Sequence, residues 1–217
     1  MDPLASSLIY SLDLFGTASF AFSGALRAVD RKPDFVGMLI LAGATAVGGS
    51  IFRDAILDRP AVVFKDPGYA YVILFSVIVT FFFTNFVLKR GKLFQYFDAV
   101  GFGIYSAITA TYAWGVLGYH PLSVILLASF TGCAGGVVRD LIIQKPTVVL
   151  SDELYLTPMI FGTIAMMLSR HFLGFGEIAG FFTAFGITLS LRLGAVIYDW
   201  RLPRVFLISS ESGKNEK

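Results

Sequence analysis

Two hundred and seventeen residues, 56% of them hydrophobic and 15% charged, carry a net charge of +2 and a mean hydropathy of +0.74. A soluble domain of that length cannot bury so much apolar surface, so the composition excludes a water-soluble globular protein, and the small net charge offers no basic face for nucleic acid. A single cysteine, Cys133, excludes a disulfide framework and a thiolate metal cluster.

A helix crossing the hydrocarbon core of a bilayer needs about 20 apolar residues. Stretches of that kind fall at 8–28, 35–57, 69–88, 94–117, 121–143, 154–172 and 178–197. Long continuous apolar runs suit helices, which satisfy their own backbone groups in lipid, and not the short alternating strands of an outer-membrane barrel. The expected fold is all-α, an integral membrane protein of seven transmembrane helices. The opening MDPLASSLIY has no basic leader, so the first stretch reads as a retained helix. Arg27, Arg31, Lys32, Lys89, Arg90, Lys92, Lys145, Arg201, Arg204, Lys214 and Lys217 fall on one side of this topology, against Arg59, Lys65 and Arg170 on the other. The positive-inside rule makes the richer side cytoplasmic, with the N-terminus outside and the C-terminus inside the cell's plasma (inner) membrane.

Residues 45–71 recur eighty-six positions later as 131–157, in the pattern T-x-x-x-G-x-x-x-R-D, five residues, P-x-V-V-x-x-D-x-x-Y. The identities in register are Thr45/Thr131, Gly49/Gly135, Arg53/Arg139, Asp54/Asp140, Ile56/Ile142, Pro60/Pro146, Val62/Val148, Val63/Val149, Asp66/Asp152 and Tyr69/Tyr155. Asp13 and Gly16 answer Asp98 and Gly101 with the register slipped by one residue. The chain therefore divides into a first three-helix repeat over 1–91, a second over 92–174, a seventh helix over 175–200 and a cytoplasmic tail over 201–217. Three helices is an odd number, so the second repeat enters the membrane upside down relative to the first. Inverted repeats of this kind place interrupted helices around a permeation or binding path near the membrane midplane.

Helices two and five carry the candidate path. Thr45, Gly48, Gly49 and Ser50 in the first repeat, and Thr131, Gly135 and Gly136 in the second, put small residues deep in each apolar helix, together with Ala134. Glycine there permits either close helix approach or a kink that frees carbonyls, and its recurrence four residues before an arginine favours a kink beside a water-filled cavity. The charged residues Arg53, Asp54, Arg139 and Asp140 need partners or water, since a charge at a helix centre costs ~2.5–3.5 kcal/mol even on insertion scales. Neighbours in sequence point about 100° apart on a helix, so the expected partners lie elsewhere: Asp13 for Arg53 and Asp98 for Arg139. Structural locking of the bundle is the competing reading of these charges, although a bond that locks can also gate.

The motifs GGSIFRD-x5-P and AGGVVRD-x5-P, set in two three-helix repeats with a seventh helix, resemble the prokaryotic members of the trimeric intracellular cation channel family over the chain up to about residue 200. The resemblance implies a homotrimer with a separate pore in each subunit, permeable to monovalent cations and chiefly potassium. It also implies kinked second and fifth helices at Gly48, Gly49, Ser50, Gly135 and Gly136, and a polar network at the Arg-Asp positions that holds the pore closed. The first repeat has Gly-Ser where the second has Gly-Gly, so the two sites need not be equivalent.

The other candidate features are weaker. His120 and His171 are separated and interfacial, with no carboxylate cluster to make a metal site. Gly48-Gly49-Ser50 lacks the Lys-Ser or Lys-Thr of a phosphate loop, and no serine sits in a triad pattern, so neither an enzyme nor a cofactor is expected. Phe81 to Phe83 read as lipid-facing bulk, and Trp114, Trp200, Tyr69 and Tyr155 as an aromatic belt. A potassium-permeable channel is the expected function, and a small-solute transporter using alternating access of the same inverted repeats is the alternative.

Overall fold

Capping side chains and prolines set where the helices begin. Asp34 accepts the Gly37 N–H at 2.7 Å to start the second helix, and Asp66 accepts the Gly68 N–H at 2.8 Å ahead of Pro67 to start the third. His120, followed by Pro121, plays the same part for the fifth, accepting the Leu122 N–H at 3.3 Å. The computed structural model describes residues 3–84, 92–145 and 154–200. Within them run α1 (Pro3–Ala28), α2 (Phe35–Ile56), α3 (Pro67–Phe82), α4 (Leu93–Gly115), α5 (Pro121–Ile142), α6 (Thr157–Phe172) and α7 (Glu177–Tyr198), with short 3-10 turns at Val29–Arg31 and Val62–Phe64. The expected all-α fold of seven helices is therefore observed, close to the expected spans. Lys89, Arg90, Pro146, Val148, Val149, Ser151, Asp152 and the tail with Arg201, Arg204, Lys214 and Lys217 lie outside the described residues.

Helices α2, α5 and α7 are each 22 residues long and apolar enough to cross a membrane by length and composition. At 1.5 Å per residue each spans about 33 Å, which matches a hydrocarbon core of ~30 Å. Helices α1 and α4 are longer, at 26 and 23 residues, and Asp13 and Asp98 are buried within them. Outward positions are apolar: Phe75, Phe82, Phe83, Phe161 and Phe172 are exposed, as lipid-facing positions of a membrane bundle are.

The repeat recurs in the local geometry. α2 and α5 end the same way, with Asp58 at φ 50° and its counterpart Gln144 at φ 53° in the left-handed region. The following amides fold back, Arg59 N–H onto the Asp54 carbonyl at 2.8 Å and Lys145 N–H onto the Asp140 carbonyl at 3.0 Å. α1 and α4 cross reciprocally as well. A Cβ on Gly16 would lie 3.0 Å from the Tyr105 ring, and one on Gly101 2.8 Å from the Phe20 ring, where Phe20 and Tyr105 are themselves counterparts. α7 has no counterpart in the repeats and packs against α4 and α6, with Phe185 over Gly103 and Thr188 against Gly162.

The bundle has two chemically distinct ends. At one end Arg31 donates to the Ile143 carbonyl, Lys145 pairs with Asp30 at 2.7 Å, Arg27 lies over the Phe94 ring, and Lys92 reaches Asp199 at 3.1 Å. These contacts join the α1–α2 connection, the start of α4, and the ends of α5 and α7. At the other end, Arg59 stacks over Tyr112 and Arg170 lies against Gly115.

Candidate functional site

The small residues of α2 and α5 meet face to face. A Cβ on Gly49 would sit 2.5 Å from the Thr131 carbonyl oxygen, and one on Gly135 would overlap the Thr45 carbonyl oxygen. A Cβ on Gly48 would sit 3.2 Å from Gly135 Cα. The same two repeat positions thus make the contact from both sides. Helical structure runs through Gly48 and Gly49 in α2, and through Gly135 and Gly136 in α5. The missing side chains serve close approach, because nothing larger than hydrogen fits against the facing carbonyls. Around the crossing, Thr45 is buried and donates to the Leu41 carbonyl at 2.6 Å, and Ser50 donates to the Val47 carbonyl at 3.0 Å. Buried Thr131 has a hydroxyl with no hydrogen-bond partner among the described residues.

One turn beyond each glycine lies a charge cluster. In the second repeat, Arg139 is fully buried and donates to Asp98 Oδ1 at 2.5 Å, to Ser23 Oγ at 2.7 Å and, from Nε, to Asp140 Oδ1 at 2.9 Å. Tyr155 donates to the other oxygen of Asp98 at 3.1 Å, in the space that Gly136 leaves open. In the first repeat, Arg53 Nε donates to Asp54 Oδ1 at 2.9 Å, and Asp54 Oδ2 also accepts the Val62 N–H at 3.3 Å. Tyr69 donates to Asp13 Oδ2 at 2.5 Å.

Three sequence expectations need correcting. The adjacent pairs Arg53–Asp54 and Arg139–Asp140 do form, because an arginine's three-methylene arm curls through the 100° that separates neighbours, and burial makes that contact worth keeping. Asp98 meets Arg139, whereas Asp13 makes no ion pair within 4 Å of Arg53 among the described residues. The aromatic-belt reading of Tyr69 and Tyr155 also fails. Both are 2% exposed, and both bring a phenol to the aspartate of their own repeat. Their recurrence in register was the available signal. Ser23 and Tyr105 carry no comparable mark in the sequence. Tyr105 is buried at the centre, sharing a hydrogen bond with Thr17 at 2.8 Å and donating to the Ala46 carbonyl at 3.3 Å.

The two clusters differ in their surroundings. A cavity of about 260 Å³ opens at the Arg53 end, lined by Asp13, Arg53, Arg59, Tyr69, Thr111, Tyr112 and Glu177 among others. Asp13 Oδ1 and Thr111 Oγ1 are buried there without hydrogen-bond partners among the described residues. The Arg139 cluster, by contrast, is sealed, with its three charged side chains at most 2% exposed. Among the described residues no group of three or more His, Cys, Asp or Glu side chains converges as a metal site.

A family model described as Glycine transporter matches residues 10–85 and again 95–171. The chain is 31% identical over 209 residues to the UPF0126 inner membrane protein YadS of Escherichia coli K12, covering 95% of this chain and all of that one. It is 33% identical over 206 residues to a UPF0126 membrane protein of Vibrio cholerae, covering 92% of this chain and 84% of the relative. Among solved structures, a TRIC trimeric intracellular cation channel orthologue from Rhodobacter sphaeroides superposes with a TM-score of 0.82 at 28% identity, over 89% of this chain and all of that one. A TRIC cation channel studied for the structural basis of conductance superposes at 0.81 with 29% identity, over 92% and 98% of the two chains. A Caenorhabditis elegans TRIC channel, at 16% identity and a TM-score of 0.60, shares the fold. The chain belongs to the family described as Glycine transporter, that of the UPF0126 membrane proteins and the prokaryotic TRIC channels.

Proposed function

We propose that this protein is a monovalent cation channel, permeable to potassium, that works as a homotrimer in the inner membrane with one pore in each subunit. The carrying observation is the superposition of nearly the whole chain on solved TRIC cation channels, with TM-scores of 0.81 to 0.83 at 26–29% identity. The repeats at 1–91 and 92–174 form the conducting unit, α7 packs outside them, and the tail follows. The pore passes alongside the crossing of α2 and α5, past Thr45, Gly48, Gly49, Ser50, Thr131, Gly135 and Gly136. The orphan Thr131 hydroxyl supports this path, since it offers a passing ion the oxygen that no described residue uses. Arg53, Asp54 and Asp13 border the open mouth, and Arg139, Asp140 and Asp98 form the closed gate. A buried carboxylate, guanidinium and phenol bonded to one another leave no room for a hydrated ion, so conduction requires that cluster to part. The basic end holding Arg27, Arg31, Lys92 and Lys145 faces the cytoplasm, which sets the N-terminus outside and the C-terminus inside.

Single-channel recording of the purified protein in planar bilayers under a potassium chloride gradient tests this reading. Discrete steps that reverse near the potassium equilibrium potential are expected. A second reading, a small-solute carrier, is favoured by the mixed charge of the cavity, where Asp13 and Glu177 face the same space as Arg53 and Arg59, and by the family's description. Saturable glycine counterflow into proteoliposomes, with no unitary current, would replace the channel with the carrier.

A further inference from the structure

Arg192 sits in the last third of α7, in the run LSLRLGAV, and is 1% exposed. A buried cation in the one helix outside the repeats has a cost that packing alone does not explain. Its guanidinium carbon lies 4.7 Å from the centre of the Tyr155 ring, and one nitrogen donates to the Leu154 carbonyl at 3.0 Å. On its other side Tyr155 meets the Phe102 ring edge to face, with centroids 4.7 Å apart, and its hydroxyl donates to Asp98, the partner of Arg139. A continuous chain therefore runs from α7 through Arg192, Tyr155 and Asp98 to Arg139.

The first repeat lacks this arm. Its counterpart tyrosine, Tyr69, meets the Tyr10 ring edge-on at 6.4 Å, and among the described residues no cation lies over it. A cation above a phenol ring draws charge from the ring and makes the O–H a stronger donor, and in a desolvated site that attraction is at its largest. The helix without a repeat counterpart thus supplies the sealed cluster with a cation that, among the described residues, has no equivalent over Tyr69.

We infer that Arg192 is a positioning residue for the gate: it holds the Tyr155 hydroxyl on Asp98 and so biases the Arg139 cluster toward its closed arrangement. This rests on the channel reading above. The test is single-channel recording of Arg192→Gln, Tyr155→Phe and the double variant, each first checked for the wild-type oligomer by size-exclusion chromatography. Arg192→Gln is expected to raise the open-to-closed ratio about tenfold, in keeping with loss of a desolvated cation–π contact. Because Arg192 acts through the phenol, its substitution in the Tyr155→Phe background is expected to change the ratio less than about twofold, a dependence that a merely structural arginine does not produce. Equal effects in the two backgrounds, or no rise in Arg192→Gln, overturn the inference while leaving the channel reading in place. If Arg192→Gln is not recovered folded, Arg192→Lys decides: it keeps a cation over the ring and is expected to hold the ratio within about twofold of wild type, whereas a rise as large as that of Tyr155→Phe overturns the inference. Wild-type protein without unitary current overturns the channel reading and this proposal together.

Discussion

Gly49→Ala would place a methyl group 2.5 Å from the Thr131 carbonyl oxygen. Carbon and carbonyl oxygen come no closer than about 3.3–3.6 Å even in C–H···O contacts, so the helices must part by roughly 1 Å. The obstacle is backbone, and no side-chain rotation relieves it. Overpacking of this kind costs about 1–3 kcal/mol, against a helix-propensity gain of at most ~1 kcal/mol for Gly→Ala. Gly43→Ala on the same helix is the control, because a Cβ there meets nothing within 4 Å. The difference between the two variants isolates the overpacking, and at about 2–4 °C per kcal/mol for a chain of this size it is readable by thermal unfolding in detergent. Gly135→Ala pushes the same two helices apart, so the double variant should lose less than the sum of the single losses. A Gly49→Ala protein as stable as Gly43→Ala, or two losses that add in full, would refute the reciprocal crossing.

Asp58→Gly and Gln144→Gly each remove a side chain from a left-handed residue at φ 50° and 53°, and each should stabilise the protein by up to about 1 kcal/mol in the same thermal assay. Asp98→Asn breaks a pair with fully buried Arg139 and should cost about 3–5 kcal/mol, whereas Asp13→Asn, which breaks no direct ion pair, should cost markedly less; urea unfolding in micelles compares them. Outside the bundle, the Tyr10 phenol bonded to Asp66 at 2.5 Å, followed by the Gly68 N–H, holds the Asp66 carboxyl below its ordinary pKa. A depressed carboxyl stabilises the fold above the ordinary carboxylate range, and that contribution is lost as pH falls through the folded value. Tyr10→Phe should therefore move the Asp66 titration upward, as followed by carboxyl carbon NMR, and lower stability more at neutral pH than at acid pH.

The helices were legible because long apolar runs have few folded alternatives in lipid, and prolines such as Pro67 and Pro121 fix their starts. The repeat was legible in the Arg-Asp and tyrosine registers. The partner assignments were less so. Arg139 meets Asp98 at the depth that helix direction indicates, yet Arg53 turns to Asp54 and leaves Asp13 to Tyr69. Sequence spacing gives the directions of Cα–Cβ bonds and not the reach of a flexible arm, so it does not exclude pairing of neighbours. The glycines posed a different problem. Close approach and kinking demand the same residue, and the facing carbonyls that make the approach close leave no mark in the sequence. The burial of Tyr69 and Tyr155 is not legible because burial of a residue near a helix end depends on what covers it, and for Tyr155 that cover is Arg192 of a helix outside the repeat.

The crossing of α2 and α5 has the form of a two-fold dimer interface. Gly49 faces Thr131 while Gly135 faces Thr45, so each repeat offers the other the surface it receives. Such an isologous contact is self-complementary by construction, and two separate copies of one three-helix chain, inserted in opposite orientations, would make it without any linker. The fold therefore carries within one polypeptide the interface of an antiparallel homodimer. The covalent connection frees the halves to diverge, and Phe20 standing opposite Tyr105 shows that divergence at the centre of the molecule.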